Sequence, residues 1–349
     1  MSRAIVVYPG KGGAARDLRI EERGVAAPGP GEVRVRIVRG GICGSDLHYY
    51  NHGGFGAVRL REPMVLGHEV SGHVDAVGEG VDGLAVGDLI AVSPSRPCGA
   101  CHYCREGLPN HCLHMRFYGS AMPMPHIQGA FQEVLVADAA QCVRAKGLTP
   151  GEAAMAEPLA VVLHAARQAG DLLGRRVLVT GCGPIGALAI LVARAAGARE
   201  IAATDIAPNA LEVAREIGAD RAVDASDPDA LREYEADKGT FDVMFECTGV
   251  AAALASGIGA MRPGGTVVQL GLGGDMSLPV QTLTAKELAL KGSFRFHEEF
   301  EAAVAAMQGG RIDVTPLISA TLPLSDTIGA FDLAGDRSRA TKVQIDFAG

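Results

Sequence analysis

The sequence predicts an α/β protein of two domains, a β-rich, barrel-like domain followed by a doubly wound parallel sheet. Its 349 residues exceed the ~100–200 residues that one ordinary core holds. Residues 1–150 contain short β-branched runs separated by glycine and proline, such as EVRVRIV and HEVSGHVDAVG, which are typical of short strands. From residue 175 onward, strand patterns alternate with helix patterns, which indicates a parallel sheet with crossover helices.

The second half opens with the apolar strand RRVLVT (175–180), a glycine turn and a helix from Pro184 to Gly197. Further predicted elements follow in order: strand REIAATD, helix PNALEVAREIG, and strands RAVDA, FDVMFECTG, GGTVVQLGL and ELALKGSF. An alanine-rich helix separates FDVMFECTG from GGTVVQLGL. The last roughly fifty residues contain a helix, HEEFEAAVAAMQGG, and two strand-like stretches, SATLPLS and KVQIDF. These residues either extend the parallel sheet or return to the first domain.

Charge and hydropathy exclude several partners. The chain has 32 basic and 40 acidic residues and a net charge of −8, without a basic cluster for nucleic acid or a membrane surface. The first residues, MSRAIVVYPGKGG, lack the longer apolar region of a signal peptide. The apolar stretch IGALAILVA (185–193) is too short to span a membrane. We therefore expect a cytoplasmic protein.

A glycine-rich turn predicts a dinucleotide site. GCGPIG matches G-x-G-x-x-G between a strand and a helix, and Asp205 ends the next strand. An aspartate here accepts hydrogen bonds from the ribose and repels a 2′-phosphate, which favours NAD over NADP. A glycine turn without a nucleotide is the alternative. The turn residues assigned to the cofactor are Gly181, Gly183, Pro184, Ile185 and Gly186.

Four cysteines in the segment 96–114, the four-cysteine lobe, predict a structural zinc site: Cys98, Cys101, Cys104 and Cys112. Four closely spaced thiolates can close a tetrahedral shell around one Zn²⁺, and this clustering favours metal over disulfides. A redox C-x-x-C pair and an iron–sulfur cluster are the alternatives. A nucleic-acid-binding zinc ribbon would need more basic residues around it.

A second metal site is predicted from scattered residues. Cys43 lies in GICGSDLHYY (41–50), which we treat as a loop, His68 and Glu69 lie in MVLGHEVSG, and Glu157 lies in AEPLAVVLHAA. Thiolate, imidazole and carboxylate are all zinc ligands, and an incomplete protein shell leaves a position for substrate. From spacing alone, Cys43 as a small buried residue and His68 as a satisfied core histidine remain alternatives.

These motifs together resemble one family. GGICGSDLHYY, GHE, the four-cysteine lobe, AEPLA and GCGPIG occur in the order found in zinc-dependent medium-chain dehydrogenases, and the resemblance covers essentially the whole chain. Glu157 stands where alcohol dehydrogenases carry a cysteine, which points to the polyol branch. MRFYGSAMPMPHIQGAF (115–131) and GSFRF (292–296) resemble members that act on a sugar acid.

The resemblance implies a GroES-like catalytic domain over residues 1–152 that is completed by 296–349, and a Rossmann domain over 153–295. It implies two zinc ions per chain, one catalytic and one structural, and hydride transfer from a secondary alcohol of a sugar acid or polyol to NAD. It further implies a homo-oligomer, commonly a tetramer in this family. The active site is expected in the cleft between the domains.

The resemblance also assigns the metal ligands. Cys43, His68 and Glu157 hold or neighbour the catalytic zinc, and Glu69 is the alternative carboxylate. A water can replace the more distant carboxylate in this family, so the choice between Glu69 and Glu157 stays open.

Further roles are carried over from the same family. Ser45 and His48 form a proton relay to solvent. Asp46 hydrogen-bonds the far nitrogen of His68, or is merely a turn-forming aspartate. Tyr49 contacts substrate hydroxyls, or is a core aromatic residue. Arg295 binds the substrate carboxylate through its guanidinium fork, although sorbitol dehydrogenases also carry an arginine in this segment.

Two other functions compete with this prediction. A sorbitol, xylitol or threonine-type dehydrogenase would use the same machinery on another secondary alcohol. A catalytically silent member would act as a nucleotide-sensing or structural protein. Loss of Cys43, His68 or the 181–186 glycines would favour the silent member, and all of them are present.

Overall fold

The structure is a computed structural model that describes residues 1–10 and 17–349. The protein is built around two large sheets. One sheet has seven strands, joined mainly by antiparallel pairs, and the other has six parallel strands. Each sheet carries its own hydrophobic core. These sheets are the two that the sequence predicts, and the predicted fold class is confirmed.

The first part of the chain supplies most of the seven-stranded sheet. The strands in this part of the chain are β1 Ser2–Tyr8, β2 Asp17–Arg23, β3 Glu32–Gly41, β4 Gly54–Phe55, β5 Val58–Arg59, β6 Met64–Val65, β7 Glu69–Val77, β8 Leu89–Val92, β9 Ser95–Arg96, β10 Arg116–Phe117, β11 Val134–Asp138 and β12 Cys142–Arg144. Its helices are α1 Gly44–His52, α2 His102–Arg105 and α3 Pro150–Ala154. Strands β12, β8, β7 and β3 lie side by side, and β11 also pairs with β3.

The middle of the chain forms the parallel sheet in the order β15-β14-β13-β16-β17-β18. Its strands are β13 Arg176–Thr180, β14 Glu200–Asp205, β15 Arg221–Asp224, β16 Phe241–Glu246, β17 Met261–Gln269 and β18 Ala289–Gly292. Its helices are α4 Ala156–Ala169, α5 Pro184–Ala195, α6 Pro208–Glu216, α7 Ala251–Ala260 and α8 Val280–Ala285. Apolar runs bury the central strands β13, β14 and β16 on both faces, as is usual in parallel sheets.

The end of the chain returns to the first sheet. It contains α9 Glu299–Gln308, β19 Ile318–Pro323, α10 Thr327–Gly335 and β20 Lys342–Asp346. Strand β20 pairs antiparallel with β3, and β19 pairs with β20. The strand patterns left both routes open for these residues, because a pattern does not identify its pairing partner, and the family resemblance favoured the return.

The prediction of a loop over residues 41–50 is wrong, because residues 44–52 form helix α1. Cys43 has an extended backbone at the N-cap, and Asp46 accepts a hydrogen bond from its N–H at 3.0 Å, as one half of a capping box. Gly53 ends the helix with φ +64°, in the left-handed region. The chemistry-bearing residues of this stretch therefore have helical spacing.

A glycine–phenylalanine contact positions the residues that precede β7. Gly67 has φ +88°, and a Cβ there would lie 2.0 Å from the ring of the buried Phe131. The ring thus fills the space that the missing side chain leaves, and the next residue is His68.

Within the described residues, no helix is long and apolar enough to cross a membrane.

Candidate active site

Cys43, His68 and Glu69 form a cluster whose ligand atoms all lie within 4.8 Å of one another. Cys43 is the N-cap of α1, His68 immediately precedes β7, and Glu69 begins β7, which pairs with β3. A Cβ at Gly41, the partner of Glu69 in that pair, would lie 2.2 Å from Glu69 Oε2. The glycine therefore makes room for the carboxylate.

A buried lysine that the sequence analysis missed pairs with Glu69. Lys342 Nζ donates to Glu69 Oε2 at 2.7 Å and Oε1 at 2.8 Å, and to the carbonyl of Ile42 at 3.1 Å. Burial alone would lower the pKa of Lys342, but the charges of Glu69, Cys43 and Glu157, together with the hydrogen bond to Glu69, outweigh it and raise that pKa. A buried carboxylate such as Glu69 needs a cation, but sequence gives no sign of which one.

Asp46 anchors the backbone on both sides of the cluster. It is fully buried, and its carboxylate accepts hydrogen bonds from the N–H groups of Cys43 at 3.0 Å and Gly67 at 3.1 Å. Its distance of 3.8 Å from His68 Nδ1 is longer than the hydrogen bond expected from the family. Within the described chain, this buried nitrogen has no hydrogen-bond partner. Asp46 thus orients the two ligand-bearing segments instead of the imidazole ring.

Glu157 lies beside the cluster but outside it. The residue is in the first turn of α4 and is buried. Burial raises the pKa of Glu157 to about 7, against the opposing charge of His68. Of the two candidate carboxylates, Glu69 is the one whose oxygen belongs to the close group with Cys43 and His68.

Three further predicted residues lie on α1. Ser45 and His48 are three positions apart and therefore lie on neighbouring parts of one helical face. Desolvation, together with the positive charges of His52 and Arg337, lowers the pKa of His48. Tyr49 is only 2% exposed, packs against Phe55, and accepts a hydrogen bond from the N–H of Ala121 at 3.1 Å.

Arg295 is held between aromatic rings near the cluster. Its Cζ lies 4.3 Å from the ring centre of Phe117 and 4.9 Å from that of Phe294. Nη2 donates to Met122 Sδ at 3.6 Å. Burial lowers the pKa of Arg295, which the charge of Glu157 partly offsets. Phe117 also contacts His68, with ring centres 5.6 Å apart, and so connects Arg295 to the cluster.

The four predicted cysteines of the lobe meet in one place. Their sulfur atoms lie within 4.8 Å of one another. The Sγ of Cys98 accepts the N–H groups of Ala100 and Cys101 at 3.4 and 3.3 Å. Backbone N–H groups of Cys104 and Leu113 lower the pKa of Cys101 to about 6. The pKa of Cys98 is also lowered, by the N–H groups of Ala100 and Cys101, whereas burial raises that of Cys104 to about 12. Four sulfur atoms in one place match the donor set of a tetrahedral Zn²⁺.

The glycine turn has the geometry of a phosphate-binding loop. Gly181 has φ +83°, and a Cβ at Gly186 would lie 1.7 Å from its carbonyl oxygen. Both positions therefore require glycine. Nothing lies within 4 Å of the Cβ position of Gly183, the N-cap of α5, so a ligand has open access to the helix N-terminus there.

Two carboxylates order the loops at this edge of the parallel sheet. Asp205 accepts hydrogen bonds from the N–H groups of Cys182 at 2.7 Å and Ala207 at 2.9 Å. Glu246, which the sequence analysis did not single out, is fully buried and accepts from the N–H of Thr248 at 2.8 Å and of Gly249 at 3.0 Å. Its position at the end of strand β16 was the sequence feature that could have identified it as a site residue.

A β-rich sheet with a Cys–His–carboxylate cluster, joined to a parallel sheet with this glycine turn, is the arrangement of a zinc-dependent dehydrogenase. Residues 29–147 match the family model of the alcohol dehydrogenase GroES-like domain, and residues 184–309 match that of the zinc-binding dehydrogenases.

The chain is 44% identical to L-idonate 5-dehydrogenase (NAD(P)(+)) from Escherichia coli (strain K12), over 90% of this chain and 91% of that protein. It is 37% identical to human sorbitol dehydrogenase, over 90% of this chain and 89% of the relative. The crystal structure of the Escherichia coli L-idonate 5-dehydrogenase superposes with a TM-score of 0.90 at 41% identity, covering 99% of this chain and 98% of that one. The chain therefore belongs to the zinc-binding dehydrogenase family, which confirms the family predicted from the sequence motifs.

The buried Glu69–Lys342 pair generates a stability prediction. Lys342→Met leaves the Glu69 charge buried without its cation, so the free energy of unfolding should fall by about 3–5 kcal/mol in urea titrations followed by circular dichroism. Arg36→Met is the control, because Arg36 is 65% exposed and its pair with Asp75 is worth about 0–1 kcal/mol. Equal losses in the two variants would contradict the prediction.

Proposed function

We propose that this protein is an NAD-dependent, zinc-dependent L-idonate 5-dehydrogenase, which transfers a hydride from the C5 secondary alcohol of L-idonate to NAD and yields 5-keto-D-gluconate. The observation that carries this proposal is the 44% identity to an L-idonate 5-dehydrogenase over 90% of the chain. The position of Arg295 near the Cys43, His68 and Glu69 cluster suits the same anionic substrate.

Arg295 suits an anionic substrate. Its guanidinium contacts two rings and a thioether, and it forms no ion pair with any side chain in the described parts of the chain. A desolvated cation without a carboxylate partner can bind the carboxylate of a sugar acid through two parallel hydrogen bonds. Sorbitol has no such group. The 37% identity to human sorbitol dehydrogenase makes polyol oxidation the second candidate.

We assign the catalytic zinc to Cys43, His68 and Glu69, with Glu157 beside it, and the structural zinc to the four-cysteine lobe. The donor sets fit: a thiol, an imidazole and a carboxylate in one group, with His68 Nδ1 buried and unpaired among the described residues, and four sulfur atoms in the other. Zinc supplies a Lewis acid that lowers the pKa of the substrate hydroxyl.

The protein's own side chains then handle the proton and the orientation of the substrate. Ser45 Oγ accepts the substrate hydroxyl proton as it gives its own hydroxyl proton to His48, which lies on the same face of α1, is exposed to solvent and releases a proton there. The lowered pKa of His48 favours its release of that proton near neutral pH. Asp46 keeps the segments around Cys43 and Gly67 in place, and Tyr49 contacts the sugar hydroxyls.

NAD is assigned to the glycine turn and Asp205. The open approach at Gly183 leaves room for a pyrophosphate at the α5 N-terminus, and Asp205 lies at the end of β14. The negative charge of Asp205 opposes a 2′-phosphate, so NADP is the weaker cofactor.

The domain division and the oligomer are part of the same proposal. Residues 1–152 with 296–349 form the catalytic domain, and 153–295 form the Rossmann domain. Strand β18 is at the sheet edge with all four residues exposed, and α8 beside it in sequence has no buried residue. An open edge strand favours pairing with a second copy, which suits the family's tetramers.

A steady-state screen tests the substrate and cofactor assignments. L-idonate, D-gluconate, sorbitol, xylitol and L-threonine are compared, each with NAD and with NADP. The highest kcat/KM should belong to L-idonate with NAD, because Arg295 disfavours sorbitol and xylitol, which lack a carboxylate, Asp205 disfavours NADP, and the 44% identity favours L-idonate among the carboxylates. Preference for sorbitol or xylitol would support the second candidate, and NAD binding without turnover of any substrate would support a nucleotide-sensing protein.

Metal analysis tests the ligand assignment. The wild-type protein should contain two zinc ions per chain, and Cys43→Ala should keep the zinc of the four-cysteine lobe alone. The variant should lose ~10³-fold in kcat/KM, since a Lewis acid is worth several kcal/mol to the reaction. Full activity in a preparation with only the lobe filled would overturn the assignment.

Exchange of Arg295 tests the carboxylate contact. Arg295→Leu should lower kcat/KM for L-idonate by about 10–100-fold, the loss expected for a charged hydrogen bond, and for sorbitol by no more than a few-fold. Arg295→Lys keeps the charge without the fork and should be intermediate. An equal loss on both substrates would exclude the contact.

A further inference from the structure

The four-cysteine lobe touches the segment that carries Arg295. The side chain of Asn110, in the 3₁₀ turn Pro109–His111, is only 6% exposed, and its Nδ2 donates to the carbonyl of Phe294 at 3.0 Å. The ring of the next lobe residue, His111, lies near-parallel to that of Phe294, with centres 6.0 Å apart and planes at 28°. The lobe thus holds Phe294 through both its backbone and its ring.

This contact acts on the residue that follows. The carbonyl of Phe294 belongs to the peptide unit that joins Phe294 to Arg295, so a hydrogen bond to it fixes the peptide plane from which the φ of Arg295 is measured. That φ is +56°, in the left-handed region that non-glycine residues seldom adopt without support from their surroundings.

The same lobe supplies the other side of the Arg295 site. Strand β10 leaves the lobe and pairs with β9, which enters it, and β10 ends at Phe117. Arg295 lies over the ring of Phe117 at 4.3 Å and over that of Phe294 at 4.9 Å. Both rings that sandwich the guanidinium are therefore placed by the lobe, which itself contributes nothing to the Cys43, His68 and Glu69 cluster.

We propose that Asn110 is a positioning residue for Arg295, and that the four-cysteine lobe sets the affinity for the substrate by holding the peptide before Arg295 in place. The proposal rests on the proposed function in that Arg295 contacts the substrate. It assigns to the lobe a role in substrate recognition in addition to stability.

Kinetics of Asn110→Ala test the proposal with the substrate that the wild-type protein oxidises best. KM for this substrate should rise about three- to tenfold, the factor that one neutral hydrogen bond carries, while KM for NAD stays within about twofold. Gln308→Ala is the matched control, because it also removes a side-chain amide that donates to backbone carbonyls, those of Arg144 and Lys146, and these residues are not among the ring and thioether contacts of Arg295. It should leave both KM values unchanged. Equal rises for substrate and NAD would overturn the proposal.

A double-mutant cycle tests whether Asn110 acts through Arg295. Adding Asn110→Ala to Arg295→Leu should raise the substrate KM no further, because the group that Asn110 positions is already gone. A full additional rise would show that Asn110 acts by another route and would overturn the proposal.

A chemical readout separates this proposal from the substrate assignment. Without substrate, phenylglyoxal should modify Arg295 several-fold faster in Asn110→Ala than in the wild type, as measured by peptide mass spectrometry, because the guanidinium leaves its place between the rings. Faster modification in a protein that does not oxidise L-idonate would support the proposal while excluding the substrate. An unchanged rate would overturn the proposal. Asn110→Asp, which keeps the size of the side chain and removes the donor, should reproduce the faster modification if Asn110→Ala does not fold.

Discussion

The neutralisation of Glu69 by Lys342 is the interaction on which the candidate site depends. A carboxylate in the protein interior is costly without a cation, and Glu69 is 1% exposed at the point where β7 meets β3. Its cation comes from a residue 273 positions later, at the start of β20. The pairing of β20 with β3 therefore both completes the sheet and makes the charged group beside Cys43 and His68 tolerable.

Sequence reasoning succeeded where the physics is local. The glycine turn, the strand–helix alternation and the four clustered cysteines each fix their geometry within a few residues, so spacing alone predicts them. It failed where partners are distant. Lys342 and Asn110 were missed because no pattern states that residue 342 reaches residue 69, or 110 reaches 294. The helix over residues 44–52 was missed because its capping carboxylate, Asp46, was considered as a partner of His68 or as a turn-forming residue, and not as a helix cap.

The charges around the cluster are unequal in a way that suits its proposed ligands. Asp46, Glu69 and Glu157 are buried within or beside it, and Lys342 pairs with Glu69 and acts more weakly on Glu157. The remaining excess of acidic groups, with the thiol of Cys43, favours a divalent cation over an empty site. Arg295 is, like Lys342, a nearby cation, but its guanidinium contacts aromatic rings and a thioether instead of a carboxylate. An anionic substrate is therefore drawn to Arg295, while the carboxylates repel it from other approaches.

The backbone and the aromatic rings around Arg295 restrict its side chain. A guanidinium that binds a carboxylate bidentately must be presented at a fixed angle, because a misaligned fork forms one hydrogen bond instead of two. A long arginine side chain on an ordinary loop would lose rotamer entropy on each binding event. Here the left-handed backbone of Arg295 and its two flanking rings restrict the side chain before any ligand arrives. The four-cysteine lobe would be well suited to provide that support with its proposed zinc bound, since metal ligation fixes a short segment that has little hydrophobic core of its own.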